Sequence, residues 1–217
     1  MCALSNHQIS YLSTGWQMCY YGRAMSKEIV FDIETQNTFA DIGGYKPKLL
    51  KISLIGVYFY ETDSYECFLV DELHRLWPRL EQSDRIIGYN SKHFDIPVMN
   101  NYYPGDLAVL PHLDIMEVVE QSLGHRLKLD SIAEATLGYG KTGTGLQAVE
   151  YWKQGQIEEL KEYCLQDVKV TKEVYEYGLK HGALAYPDFG GERKGIKVDF
   201  HRQPVEQAAS INLTMPF

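Results

Sequence analysis

The chain has 217 residues, and with 45% hydrophobic and 23% charged residues its composition is ordinary for one globular domain. No apolar run approaches the length of about 18 residues that a membrane-spanning helix needs, so no membrane segment is expected. The formal net charge of -8 excludes a polycation that coats nucleic acid, but it leaves room for an enzyme with a local basic groove and bound metal ions.

The cysteines indicate neither a zinc site nor a disulfide framework. They are scattered, with no CxxC pair and no Cys/His spacing typical of zinc ligands: Cys2, Cys19, Cys67 and Cys164. Free thiols in a reducing environment fit this pattern best, and we therefore expect a cytoplasmic protein.

The first 24 residues differ from the rest of the chain. They show no clean periodicity, and they lack the basic start and the apolar run of a secretory signal. We expect residues 1–24 to form a poorly ordered extension, residues 25–182 to form the folded domain, and residues 183–217 to form a tail that is mostly loop.

Residues 29–35 predict the first strand, because side chains alternate between the two faces along it. The alternation puts Phe31 and Ile33 on one face and Asp32 and Glu34 side by side on the other. Two adjacent carboxylates repel each other and resist burial, and a divalent cation that prefers oxygen ligands would compensate them. The alternative is a strand that runs out into a polar loop, where both carboxylates are solvated.

A hairpin and a short helix are predicted next. After a glycine-containing loop over residues 36–48, apolar runs over residues 49–60 and 65–70 indicate two strands joined by a turn. Asp71 is placed to cap a helix with apolar residues at three-and-four spacing, which Pro78 ends or kinks. These apolar residues are Leu73, Leu76, Trp77 and Leu80.

A fourth strand is predicted over residues 85–90, followed by a short helix over residues 96–103 and by a helix that Asp114 opens and that runs through Leu123. Asp95 therefore lies at a strand-to-helix junction, where open α/β sheets place their functional sites. The ordinary alternative is that Asp95 only caps the following helix.

The later part of the chain is mainly helical. An S-x-x-E capping box at Ser131 opens a helix that ends at Gly138. After a glycine-rich loop, further helices are predicted over residues 146–153 and 157–180, with Gly182 near the position of a C-cap glycine.

The order of these elements predicts an α/β fold, with a mixed sheet and helices packed on its faces. Only one strand, over residues 195–200, is expected in the tail. On the longest helix, Tyr163 and Asp167 are four residues apart, so that a phenol and a carboxylate project from one face. The alternative there is a solvated polar face, because charged and polar residues surround the pair.

Three short motifs follow one another along the chain: Asp32-Ile33-Glu34, then Asn90-Ser91-Lys92-His93-Phe94-Asp95, then Tyr163-Cys164-Leu165-Gln166-Asp167. In type, order and predicted element they resemble the motifs of the DEDD superfamily of 3′→5′ exonucleases, in the branch with a tyrosine in the third motif (DEDDy). The segment from Lys128 to Ala133 is also similar, and the resemblance covers roughly residues 27–182. Within that branch the chain looks like the predicted exonucleases that are similar to the proofreading domain of family B DNA polymerases.

The resemblance implies a ribonuclease H-like fold and a hydrolase that releases nucleoside 5′-monophosphates from 3′ ends of single-stranded DNA or RNA, with DNA favoured. It also implies a role in DNA repair and two divalent ions, Mg²⁺ or Mn²⁺. The implied metal ligands are Asp32, Glu34, Asp95 and Asp167. Tyr163 would hold the attacking water rather than act as a strong base, because a phenol with a pKa of about 10 is protonated at pH 7.

Three further residues are candidate substrate contacts. The backbone N–H of Thr35 could meet the terminal 3′-hydroxyl. Asn90 and Phe94 could pack on sugar or base, or they could simply close the edge of the sheet.

Other interpretations remain open at this point. The chain could be an inactive nucleic-acid-binding module, or a separately encoded proofreading partner of a polymerase or helicase. Gly140-Lys141-Thr142 also resembles the end of a phosphate-binding loop, with Ala135 where the first glycine normally stands. A phosphate-binding loop must follow a strand, whereas a helix is predicted before this one.

Overall fold

A computed structural model of the chain describes residues 26–140, 143 and 145–201. The predicted extension over residues 1–24 lies outside the described residues, and so do Lys141 and Thr142 of the competing phosphate-loop motif. In the part of the chain that the structure describes, no helix combines the length and the apolar character that a membrane crossing needs.

A five-stranded mixed sheet forms the centre of the fold. Its strands are β1 (Glu28–Thr35), β2 (Ile52–Phe59), β3 (Ser64–Leu69), β4 (Arg85–Gly88) and β5 (His112–Asp114). Across the sheet the order is β3-β2-β1-β4-β5; the pairs β1–β2 and β2–β3 are antiparallel, and the pairs β1–β4 and β4–β5 are parallel. The predicted α/β fold with a mixed sheet is therefore confirmed, and β1 lies in the middle of that sheet.

Helices flank this sheet on both faces. They are α1 (Trp77–Glu81), α2 (Asp95–Met99), α3 (Ile115–Leu123), α4 (Leu129–Leu137), α5 (Gly145–Gln154) and α6 (Ile157–His181). The longest of them, α6, packs against β1 and β2.

The alternation of side chains along β1 decides which layer each of them joins. Phe31 and Ile33 lie in one apolar cluster with α1 and α2, whereas Val30 lies in a second cluster with α3, α4 and α6. Burying a large apolar side chain contributes about 1.5–3 kcal/mol, so both clusters hold the register of the strand. Asp32 and Glu34 consequently share the face of Val30 and are directed toward α6.

Two helix ends lie where the sequence predicts them, because their capping signals involve residues that are close in sequence. Asp114 caps α3 by accepting hydrogen bonds from the N–H groups of Met116 and Glu117, as predicted. Gly182 follows α6 in the left-handed region with a φ of 63°, which favours glycine.

Two predicted helix starts are wrong. α4 begins at Leu129 with Lys128 as its N-cap, rather than after the capping box of Ser131, because Leu129 is itself a core residue and its burial extends the helix by nearly one turn. The helix predicted after Asp71 is split into a 3₁₀ turn (Leu73–Arg75) and α1. Pro78 lies in the first turn of α1, where its missing N–H costs no hydrogen bond.

Three strands differ from the prediction. β5 was not predicted, because three residues are too few for an alternating pattern. The segment predicted as mostly loop is described as far as residue 201, and this part forms an antiparallel hairpin of β6 (Ala183–Pro187) and β7 (Arg193–Lys197), which replaces the single strand expected over residues 195–200. Leu184 and Ile196 anchor this hairpin in the apolar cluster with α4 and α6.

Candidate active site

Two carboxylates mark the C-terminal end of β1. An oxygen of Asp32, an oxygen of Glu34 and the sulfur of Cys164 on α6 all lie within 4.8 Å of one another. Glu34 is buried and Asp32 is only partly exposed. The solvated strand end considered from the sequence is therefore not what the structure contains.

Asp95 adds a third carboxylate from the first turn of α2. Its side chain is buried, and its Oδ1 accepts a hydrogen bond from the backbone N–H of Ile33 at 3.2 Å, between Asp32 and Glu34. Burial raises the pKa of Asp95 well above its usual range, and the charge of Asp32 raises it further. Asp95 is not the helix cap, since the N-cap residue is Phe94, and its carboxyl group faces the β1 carboxylates instead.

α6 contributes Tyr163 and Asp167 to the same place. Both side chains are buried, so they do not belong to a solvated polar face. Burial raises the pKa of the Tyr163 phenol far above its ordinary value, and the nearby charges of Asp167, Glu34 and Asp32 act in the same direction. The phenol is therefore neutral, and its hydroxyl is available as a hydrogen-bonding group.

These side chains line one cavity of about 530 Å³. Its lining includes seven of the eight predicted site residues: Asp32, Glu34, Thr35, Phe94, Asp95, Tyr163 and Asp167. The three motifs, separated by about 60 and 70 residues of chain, thus meet at the C-terminal end of β1.

Asn90 is the predicted site residue that does not line the cavity; its neighbour Tyr89 does. Asn90 has a φ of 61°, in the left-handed region that asparagine adopts more readily than most residues. Its backbone N–H donates to Asp114 at 2.8 Å. Its Oδ1 is buried and has no hydrogen-bond partner among the described residues. The geometry of Asn90 accounts first for the sharp turn from β4 into the loop that carries Asp95.

The outer wall of the cavity comes from residues that the motifs did not identify. Phe39, in the loop between β1 and β2, packs edge to face against Phe94 with ring centroids 5.9 Å apart. Leu146 and Val149 of α5 line the cavity as well. Phe39 could have been identified from the sequence, because it is an aromatic residue in a polar loop directly after the first motif. No sequence signal places α5 at the cavity, since its position there depends on the tertiary fold.

The donor set suits a hard divalent cation. Such ions prefer carboxylate oxygens, and four carboxylates in one cavity carry the charge that two divalent cations would balance. Cys164 is not a fitting ligand, because burial raises the pKa of its thiol, which donates to the backbone carbonyl oxygen of Asp32 at 3.6 Å. The residues present therefore fit the expected cofactor.

Comparison with known proteins agrees with this geometry. A family model of the RNase_H superfamily matches residues 29–178, which is more than half of the 217-residue chain. The match begins in β1 and ends in α6, and so it spans all three motifs. A search of curated protein sequences finds no match to the chain.

Proposed function

Because the chain belongs to the ribonuclease H superfamily, we propose that it is a nuclease of the DEDDy type, which removes nucleotides from the 3′ end of single-stranded nucleic acid. The observation that carries this proposal is the convergence of Asp32, Glu34, Asp95, Asp167 and Tyr163 on one cavity. A nucleic-acid-binding module without catalysis would gain nothing from burying Asp95 beside Asp32, since each carboxylate resists the charge of the other.

Phosphodiester hydrolysis needs an activated water and a stabilised leaving oxygen. Two bound divalent cations, Mg²⁺ or Mn²⁺, would supply both of these. In our proposal the four carboxylates would hold these cations, and Asp32, whose charge acts on both Asp95 and Tyr163, would contact both of them. The neutral Tyr163 hydroxyl orients the attacking water by a hydrogen bond.

The remaining cavity residues hold the 3′ end. The hydroxyl of Thr35 already donates to the carbonyl of Asn37 at 2.9 Å, so the proposed contact to the terminal 3′-hydroxyl comes from the backbone N–H of Thr35. Phe94, supported by Phe39, offers an aromatic surface for the terminal sugar or base. Asn90 contributes to substrate binding through the loop that it shapes.

The resemblance to proofreading domains favours DNA over RNA as substrate. It also favours a polymerase or helicase as partner and a role in DNA repair. The preference between DNA and RNA depends on contacts to the 2′-hydroxyl. Parallel assays on both polymers therefore decide it directly.

The test uses 5′-labelled single-stranded DNA and RNA with Mg²⁺ or Mn²⁺. We expect a ladder that shortens from the 3′ end and disappears when the metal is chelated. A circular single strand of the same sequence is the matched substrate control, since it has no 3′ end and should stay intact. An Asp32→Ala preparation shows whether a contaminating nuclease is responsible. Absence of metal-dependent shortening on both linear substrates would contradict the proposal.

A further inference from the structure

The carboxylate of Asp114, at the end of β5, connects two separate segments of backbone. It is 1% exposed. Its Oδ1 accepts hydrogen bonds from the N–H groups of Met116 at 3.0 Å and Glu117 at 3.4 Å, which is ordinary capping of α3. The same carboxylate also accepts from Asn90 at 2.8 Å through Oδ1 and from Lys92 at 3.0 Å through Oδ2. Capping alone does not require these last two bonds.

The segment that Asp114 holds is the loop from β4 to α2, which carries Asp95. This loop turns sharply at Asn90, and its own hydrogen bonds run from Phe94 N–H to Asn90 O at 3.0 Å and from Ile96 N–H to Ser91 O at 2.9 Å. These bonds make the loop and the first turn of α2 one unit. Its orientation is fixed where the N–H groups of Asn90 and Lys92 reach across to β5.

Strand β5 holds the same loop at a second point. Ser91 Oγ lies 2.9 Å from Nε2 of His112, two residues before Asp114. Burial lowers the pKa of His112 to about 3, so the imidazole is neutral at physiological pH and this contact does not depend on a charge that pH could remove. The loop is therefore tied to β5 at three consecutive residues, Asn90, Ser91 and Lys92.

We propose that Asp114 is a positioning residue of the active site, which orients the β4–α2 loop so that the Asp95 carboxylate meets Asp32 and Glu34. The catalytic consequence rests on the proposed function, whereas the anchoring of the loop does not. Asp114 is not a further metal ligand, because backbone N–H groups occupy both of its oxygens. A residue that orients a ligating group in this way commonly changes metal affinity or activity by about 10- to 100-fold when it is replaced.

The informative variant is Asp114→Ser. A serine hydroxyl can still cap α3, but its single oxygen cannot replace both carboxylate oxygens, so the bond to Lys92 is lost. Asp106→Ser is the matched control. Asp106 caps the 3₁₀ turn Leu107–Val109 by accepting from Ala108 N–H at 2.9 Å and lies outside the residues that line the cavity.

Three measurements apply to both variants: Mn²⁺ affinity by electron paramagnetic resonance, turnover on single-stranded DNA, and amide hydrogen exchange of residues 89–95. For Asp114→Ser we expect Mn²⁺ affinity and turnover to fall about 10- to 100-fold and exchange of the loop to become faster. For Asp106→Ser we expect all three to match the unmodified protein. If the two variants have similar thermal midpoints of unfolding, a fall in Mn²⁺ affinity and turnover confined to Asp114→Ser reflects lost positioning rather than a general loss of stability.

The proposal is overturned if exchange in residues 89–95 and Mn²⁺ affinity are the same in both variants. If the unmodified protein degrades neither DNA nor RNA, the proposed function fails, and the exchange measurement still decides the role of Asp114. If Asp114→Ser does not fold, Asp114→Asn replaces it. That variant keeps one acceptor oxygen and the size of the side chain, and it should show the same changes in smaller measure.

Discussion

At the scale of single residues, burying the Asp95 carboxylate beside Asp32 is electrostatically unfavourable, and the proposed role of Asp95 in holding a metal ion would account for it. Its pKa in the folded protein is raised, mainly by burial and then by the charge of Asp32. The folded protein therefore binds the proton more tightly than the unfolded chain does. The stability of the metal-free protein should consequently fall as the pH rises from the ordinary aspartate range toward the raised pKa.

Asp95→Asn removes this cost. Its amide oxygen can still accept the bond from Ile33 N–H, but the side chain has no charge to bury. We expect metal-free Asp95→Asn to unfold at a higher urea concentration than the unmodified protein at pH 7, to lose the pH dependence described above, and to lose activity. Added Mn²⁺ should stabilise only the unmodified protein. If metal-free Asp95→Asn is instead less stable than the unmodified protein at pH 7, burial of the charged Asp95 carboxylate does not destabilise the fold.

Tyr163 is expected to act through its hydroxyl alone. Tyr163→Phe keeps the buried ring, and it should lower kcat by about tenfold or more, the effect of one hydrogen bond of about 1.4 kcal/mol in the transition state. Mn²⁺ affinity should stay unchanged. The raised pKa of Tyr163 also predicts that the phenol does not titrate below pH 10 in either the kcat or the binding profile.

Tyr103→Phe is the control for this experiment. The hydroxyl of Tyr103 donates to Glu81 at 2.8 Å, and Tyr103 is not among the residues that line the cavity. If kcat of Tyr163→Phe equals that of Tyr103→Phe, the role of Tyr163 in orienting water is wrong.

At the scale of elements, the close packing of β4 against the loop after it depends on a glycine. A Cβ added at Gly88 would lie 2.5 Å from Ser91 Oγ and 2.6 Å from Ser91 Cβ. We expect Gly88→Ala to destabilise the fold by about 1–3 kcal/mol through overpacking and to lower turnover, since Ser91 must move away from His112. Urea unfolding and the exonuclease assay measure the two effects.

Gly195→Ala in β7 is the matched control, because a Cβ there meets no atom within 4 Å. This second substitution also replaces a strand glycine, so the two variants differ in local space rather than in backbone type. If Gly88→Ala and Gly195→Ala are equally stable, Ser91 can move to make room for the added Cβ without loss of stability.

The extent to which these elements could be predicted differs along the chain for physical reasons. β1 and the positions of Asp32 and Glu34 on it were predictable, because alternation over eight residues determines which face each side chain occupies. The capping of α3 by Asp114 was predictable too, since its partners are two and three residues away. The bond from Asn90 to Asp114 spans 24 residues and crosses to β5, so no local pattern contains it.

At the scale of the whole molecule, the end of the fold opposite the active site is held by a buried ionic network. Arg85 donates to Glu28 at 2.7 Å, to the hydroxyl of Tyr175 at 2.7 Å and to the carbonyl of Phe200 at 3.0 Å. These contacts join the beginnings of β1 and β4 to α6 and to the segment after β7. Glu28 and Glu34 are six residues apart on β1, which corresponds to about 20 Å at 3.3 Å per residue.

This separation predicts that stability and chemistry can be changed independently. Arg85→Ala leaves the largely buried Glu28 side chain with the Tyr175 hydroxyl as its one remaining side-chain donor among the described residues, and breaking a buried ion pair in this way costs about 3–5 kcal/mol. Arg75→Ala is the control, because the pair of Arg75 with Glu72 is exposed and contributes less than about 1 kcal/mol. Urea unfolding should separate the two variants by at least 2 kcal/mol on these figures. At a temperature where both are folded, kcat and Mn²⁺ affinity should equal those of the unmodified protein. A fall in kcat confined to Arg85→Ala would mean that the network at the far end of β1 also sets the position of Asp32 and Glu34, since both ends belong to one continuous strand.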